Sequence, residues 1–192
     1  ASMKQGGKAN FDVAIIHFQR ALELDPQNFE AIKDLARILS WDVTRRGESL
    51  HLYRRALAIQ PTDKDLQYQL AEVLNWAGNY YESTELFKPL YKEDPGNMAL
   101  VLNYANALSN SGQYYDSIAL YQKAIKNKKP FDDYTALNYA RTLSKTGNTN
   151  LSIKIYNDIL QKTTNVDEQT NIKQELASVL VNAGRYEEAI QV

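Results

Sequence analysis

The sequence predicts an all-α chain built as a solenoid of antiparallel helix pairs, and three observations carry that prediction. Four of its eight glycines fall at Gly78, Gly112, Gly147 and Gly184, separated by 34, 35 and 37 residues, a period typical of helical repeats. The same residue classes recur in register with them: Ala71, Ala105, Ala140 and Ala177 seven before, Ser83, Ser117, Ser152 and Ala189 five after, and Phe87, Tyr121 and Tyr156 nine after the first three. Proline punctuates the other end of the unit in Asp25-Pro26-Gln27-Asn28, Gln60-Pro61-Thr62-Asp63 and Asp94-Pro95-Gly96-Asn97. Each position has a physical role. Apolar residues before each glycine, such as Leu70, Ala71 and Leu74, recur at helical spacing. The glycine ends the first helix in a left-handed conformation that a residue without Cβ adopts at little cost. Small residues let the second helix approach, and the large aromatic fills the wedge against the next pair. Proline stops the second helix, and Asn28, Asp63 or Asn97 caps the one that follows.

In chain order, residues 1–28 read as a partial repeat in which Ala14, Phe18, Ala21 and Pro26 mark a second helix. Residues 29–63 keep Leu35, Ala36, Leu39, Tyr53 and Ala56 but replace the hairpin glycine with "WDVTRRGESL", a turn one residue longer in which Gly47 is displaced. Arg45 and Arg46 there read as a tolerated surface insertion before they read as a contact point. Residues 64–97 carry Pro89 inside the second helix, where its missing N–H predicts a bend near Leu86. Residues 98–130 end in "KNKKP", a solvated basic helix end. Residues 131–165 have Thr149 where an aromatic recurs elsewhere and no closing proline near Thr163 and Thr164, which predicts looser packing there. Residues 166–192 form a second partial repeat. Because a repeat buries its faces only against its neighbours, two incomplete ends predict a fragment of a longer array.

Composition narrows function by exclusion. Lys and Arg number 22 against 23 Asp and Glu, a net charge of −1, so a nucleic-acid partner is not expected, including for a 35-residue RNA-reading repeat, because phosphate contact needs a basic stripe. No apolar run approaches the roughly 18 to 20 residues of a membrane helix, and no basic region followed by an apolar stretch opens the chain, so no direct membrane insertion is expected. Zero cysteines exclude disulfides and thiolate metal sites, yet permit cytoplasm and periplasm equally. His17 and His51 sit beside the packed aromatics Phe18 and Tyr53 and read as solvated or partly packed rather than as ligands. There is no HExxH, no glycine-rich phosphate loop and no Asp-rich calcium loop, and Glu187 and Glu188 point in different directions on a helix. The expectation is a protein that is not an enzyme, with no cofactor and no metal site.

The helix-pair register, clearest in "LQYQLAEVLNWAGNYYESTELFKPLYKEDPGN" and "LVLNYANALSNSGQYYDSIALYQKAI", resembles the tetratricopeptide repeats over nearly the whole chain. That resemblance implies a right-handed superhelical solenoid whose first helices line a concave groove for extended peptides or helices. Residues 13, 10, 6 and 3 before each glycine share one face at about 100° per residue, and transferring the groove to that face and its edge picks out Lys33, Arg37 and Trp41, then Tyr68, Glu72, Asn75 and Trp76, then Leu102, Asn106 and Asn110, then Leu137, Arg141 and Lys145. An asparagine such as Asn106 can hold a peptide backbone through both donor and acceptor. Tyr68, Leu102 and Leu137 also read as buttresses between repeats, and Trp41 and Trp76 read equally as groove or packing residues. A tetratricopeptide subclass grips a terminal carboxylate with Lys and Asn; here Arg37 follows Lys33, and Asp65 and Glu72 bring acid, which disfavours such a clamp. "LARILSW" with "LYRRALAIQP" is also similar to tetratricopeptide segments of bacterial envelope proteins in exopolysaccharide synthesis and export, of the cellulose and poly-N-acetylglucosamine kinds. That similarity implies a periplasmic scaffold whose Trp41, Trp76, Tyr81 and Tyr115 stack on sugar rings. The partner classes are a protein or peptide segment first, a polysaccharide second and self-association third.

Overall fold

The computed structural model describes the backbone of residues 2–192 and the side chains from residue 11 onward, so readings that fall on residues 1–10 of the first partial repeat lie outside the described residues. The described chain is all-α: α1 (Ser2–Leu24), α2 (Phe29–Ser40), a 3-10 turn (Val43–Arg45), α3 (Arg46–Ile59), α4 (Lys64–Trp76), α5 (Tyr80–Glu93), α6 (Met98–Asn110), α7 (Tyr114–Lys126), α8 (Asp133–Lys145), α9 (Thr149–Leu160), α10 (Val166–Asn182) and α11 (Tyr186–Gln191). It divides into two compact units, Ala1–Glu93 and Asp94–Val192, within which consecutive helices pack as antiparallel pairs.

The helix ends follow from local chemistry. Asn28, Asp63 and Asn97 sit in extended conformation and accept from the backbone N–H groups of Ala31, Leu66 and Leu100 at 3.0, 3.0 and 3.2 Å, each satisfying a donor that the first helical turn leaves orphaned. Asp132, two residues after Pro130, does the same for Thr135 at 2.8 Å. At the opposite ends, Gly78, Gly112, Gly147 and Gly184 have φ of 85°, 84°, 79° and 72°. Space does not demand glycine there, since a Cβ would meet nothing within 4 Å; the conformation does. It turns the next N–H back onto the helix, as when Gln113 donates to the Leu108 carbonyl at 2.9 Å.

The small residues facing the glycine turn do more than make room. Ser49, Ser83, Ser117 and Ser152, all completely buried, each donate their hydroxyl to the carbonyl of Ala36, Ala71, Ala105 or Ala140 on the first helix of the same pair, at 2.7 to 2.8 Å. A hydroxyl in a close helix–helix contact must find a partner, and here the same bond recurs in four successive pairs. Tyr53, Phe87, Tyr121 and Tyr156 are buried to within 1% and form the wedge. Tyr121 packs on Tyr139 of the next pair with ring centroids 4.9 Å apart, and Phe131 completes a three-ring cluster with them. Around these rings, Ile32, Leu35, Leu39, Leu66 and Leu74 close the seam of the first unit, and Ile153, Ile159, Ile172 and Leu176 close one in the second.

Two irregular segments depart from expectation for visible reasons. The looser packing expected around Thr163 is not found: Ile159 and Ile172 are buried, the Thr163 hydroxyl donates to the Ile159 carbonyl at 3.0 Å, and Asn165 caps α10 by accepting from Asp167 and Glu168. Hydrogen bonds there replace the proline. The long turn after α2 is ordered by Asp42, which accepts from Thr44 at 2.9 Å, and by Arg46, which is structural rather than a loose surface charge: its Nη1 donates to the Trp76 carbonyl at 3.0 Å, joining this turn to the end of α4. α5 runs through Pro89 to Glu93.

Candidate partner-binding site

First helices α2 and α4 leave an open hollow of about 310 Å³ between them, in the first unit. Arg37, Ser40 and Trp41 come from the α2 side, Asp65, Tyr68, Glu72 and Trp76 from α4, and Tyr53 forms part of the floor. Trp41 is 69% exposed and its ring lies 6.1 Å from that of Trp76, tilted by 41°. The Arg46 guanidinium also sits 6.0 Å from the Trp76 ring, so Trp76 is a packed residue whose neighbour Trp41 remains open to a partner. Tyr68 meets Phe87 edge-on at 5.8 Å. The Tyr53 hydroxyl donates to Gln69 Oε1 at 3.0 Å, and burial pushes its phenol well up, so it stays a neutral donor.

A second hollow, of about 520 Å³, lies between α8 and α10 in the other unit, walled by Leu137 and Arg141 on one side and Asn171, Gln174, Glu175 and Ser178 on the other. Arg141 is held in a fixed pose. Its Nε and Nη2 donate to the two Glu175 oxygens at 2.8 and 2.6 Å, its Nη1 donates to Asn138 Oδ1 at 2.9 Å, and the Tyr156 hydroxyl donates to Glu175 Oε2 at 3.0 Å. Burial pushes the Glu175 carboxyl up, but the Arg141 hydrogen bonds and charge, with the Tyr156 hydroxyl, outweigh it and hold the group below its ordinary value. The same Arg141 is held more firmly protonated by Glu175.

Between these hollows in chain order, α6 and α8 pack directly on each other and the face is closed. Asn106 is 2% exposed; its Oδ1 accepts from the Tyr121 hydroxyl at 2.6 Å and from Asn138 Nδ2 at 3.2 Å. Ser109 and Thr142 share a hydrogen bond at 2.5 Å beside it. Asn106 is therefore corrected from a groove residue to a buried bridge, because it is covered and its Oδ1 already accepts from two protein donors. Asn75, at 8% exposure, is corrected to a covered residue, and Leu102, at 7%, takes the buttress role rather than the groove role.

The thirteen positions picked out by sequence thus separate. The structure brings Arg37, Trp41, Tyr68, Glu72 and Trp76 together around one hollow and Leu137 with Arg141 at the other. Lys33 is not among them: it pairs with Glu30 at 2.6 Å and lies over the Phe29 ring. Lys145 is exposed and Asn110 half-buried, and neither lines either of these two hollows. Tyr81 and Tyr115 are 76% and 79% exposed but stand on the second helices α5 and α7 and do not line the hollow beside the Trp pair. His17 and His51 are exposed on α1 and α3, and no group of three or more metal-ligating side chains occurs among the described residues. None of the described helices is long and apolar enough to cross a membrane. Sequence reading missed Gln69 and Glu175. Both stand nine residues before their hairpin glycine, where Asn103 and Asn138 also stand. A polar side chain recurring at that place was the available signal; at Gln69 and Glu175 it accepts from the wedge tyrosine of the preceding pair, Tyr53 or Tyr156.

The architecture defines an array of antiparallel helix pairs with a glycine turn inside each pair and a cap between pairs. Residues 100–130 match the family model of the tetratricopeptide repeat, and the chain as a whole shares the all-α helical-repeat fold of solved tetratricopeptide proteins. A tetratricopeptide repeat protein from Parabacteroides merdae has the same fold with a TM-score of 0.73 at 16% identity, over 99% of this chain and 73% of that one. PilW, a type IV pilus biogenesis factor, matches with a TM-score of 0.73 at 20% identity over 97% and 86%. YrrB, a tetratricopeptide protein with an unusual peptide-binding site, matches with a TM-score of 0.61 at 16% identity over 91% and 87%. No curated protein sequence matches the chain.

Proposed function

We propose that this protein is a non-enzymatic interaction scaffold that holds an extended segment of a partner protein against its first helices, with the hollow between α2 and α4 as the main grip. The observation that supports this most is the convergence of Arg37, Trp41, Tyr68, Glu72 and Trp76, drawn from two repeats, on one open concavity. An exposed indole beside fixed polar groups is the composition from which interaction hot spots are made. Asp65 and Glu72 can take N–H donors of an extended backbone or side chain, while Trp41 and Tyr68 supply apolar area at low entropic cost. The peptide-binding site described for YrrB belongs to that protein; carrying such a mode over to this chain is part of the proposal. The hollow at Arg141 serves as a second, independent contact in the other unit.

The test is a selection of peptides from a random library displayed on phage, followed by titration of the selected peptides against the indole fluorescence of the protein. At least one selected class is expected to lose tenfold or more in affinity when Trp41→Ala and Asp65→Asn, both exposed positions, are combined, with an unchanged helical melt. If every selected peptide binds that variant as tightly as the parent, the assignment of the first hollow fails.

A further inference from the structure

We propose that the second unit carries a separate docking cleft for an acidic, apolar-faced segment of a partner protein, rimmed by Lys128, Lys129, Lys154 and Lys162 over a floor that includes Phe131 and Ile155. The cleft measures about 530 Å³ and lies on another flank of α8 from the Arg141 hollow, enclosed by the end of α7, the 127–132 linker and α9.

Three observations bear on it. The floor is apolar and uncovered: Tyr139 and Ile159 form its buried base, while Ile125 and Leu151 at its edge are 48% and 44% exposed. The rim is cationic. Four ammonium groups face two carboxylates, Asp133 and Asp158, on a chain whose net charge is −1, so the positive character is local. Lys33 and Lys64 pair with Glu30 and Glu93, whereas the four rim lysines make no such ion pair among the described residues. Finally, Lys128 has φ of 56°, the one positive value at a described residue other than glycine. A glycine there would relieve that backbone, yet the lysine places a further ammonium on the rim.

The occupant follows from charge and shape. A row of ammonium groups around a narrow apolar floor complements carboxylates flanking one or two large apolar side chains. A lipid surface is flat and cannot reach the floor of a concavity set between helices, and a polyphosphate backbone has no apolar side chain to fill the base.

The same random peptide library is panned on the parent protein, on Lys154→Glu/Lys162→Glu, on Lys154→Arg/Lys162→Arg and on the Trp41→Ala/Asp65→Asn variant. Lys154 and Lys162 are exposed, so these changes leave the fold intact, which the helical melt checks. Peptides combining Asp or Glu with an aromatic or branched apolar residue are expected to be enriched on the parent, to lose at least tenfold in affinity on the Glu variant, to be retained by the Arg variant and the Trp41 variant, and to weaken steeply with salt. The proposal is overturned if no such class is enriched, or if it binds the Glu variant as tightly. It is equally overturned if the class depends on Trp41 instead, which would leave the first hollow standing and remove this cleft. Lysine-dependent sedimentation with phosphatidylserine vesicles in place of peptide binding, or a dimer in light scattering that the Glu variant abolishes, would assign the cleft to a lipid surface or a second copy and refute a partner segment.

Discussion

Replacing Glu175 with Gln tests whether the inner face of the second unit is held by charge. Three donors converge on the two Glu175 oxygens: Arg141 Nε at 2.8 Å, Arg141 Nη2 at 2.6 Å and the Tyr156 hydroxyl at 3.0 Å. Glutamine keeps the shape but offers a single acceptor oxygen, so at least one donor must then face an NH2 group. Fully buried charge-assisted bonds of this kind are worth about 1.5 to 3 kcal/mol. The two side chains are 42% and 35% exposed, and solvent screening brings the expected loss down to about 1 kcal/mol. The pH dependence has a definite sign. Glu175 is held below its usual 4.5 despite burial, so the folded state binds its proton less readily than the unfolded state. The stabilisation is complete above 4.5 and is lost as pH falls below that value through the folded one. Amide hydrogen exchange along α8 and α10 is the suitable assay, because each repeat is stabilised chiefly by its neighbours and opens locally. A double-mutant cycle with Arg141→Gln isolates the pair. A loss under about 0.3 kcal/mol, or a loss that is the same at pH 7 and below pH 4, would refute an electrostatic role for the pair.

Two backbone substitutions have opposite expected signs. Gly112→Ala puts a Cβ on a residue at φ 84° with empty space around it, so it tests conformation alone; urea unfolding should show a loss of about 1 kcal/mol, and no loss would mean that the turn relaxes freely. Lys128→Gly should do the reverse, gaining about 0.5 kcal/mol once the greater freedom of unfolded glycine is subtracted from the strain it relieves. A destabilised Lys128→Gly protein would show that the φ of 56° is not strained.

Most of the fold was legible because its determinants are local. A left-handed glycine, a capping asparagine and a proline stop act within a few residues of chain, so Gly78, Gly112 and Gly147 and the caps Asn28, Asp63 and Asn97 could be assigned from spacing. Ser83, Ser117 and Ser152 were read only as small, yet their hydroxyls all reach an alanine carbonyl 12 residues earlier, and Ser49 in the irregular repeat does the same across 13. The site was legible only as a stripe. Helical periodicity places Arg37, Tyr68, Asn106 and Arg141 on equivalent faces, but it says nothing of how closely each first helix approaches the next.

By itself the sequence determined the repeat length, the pairing of helices and the face that each helix turns inward, because these depend on φ, ψ and the period of 3.6 residues. The tertiary structure decided which parts of that face are open. α6 and α8 close over Asn106, while α2 with α4 and α8 with α10 leave hollows. It also decided that Arg141 meets Glu175, 34 residues away, and that lysines from the linker and α9 surround one apolar floor. The distance between neighbouring helices is set by how side chains from different repeats fill the shared seam, a sum over contacts that the order of residues along one helix does not contain.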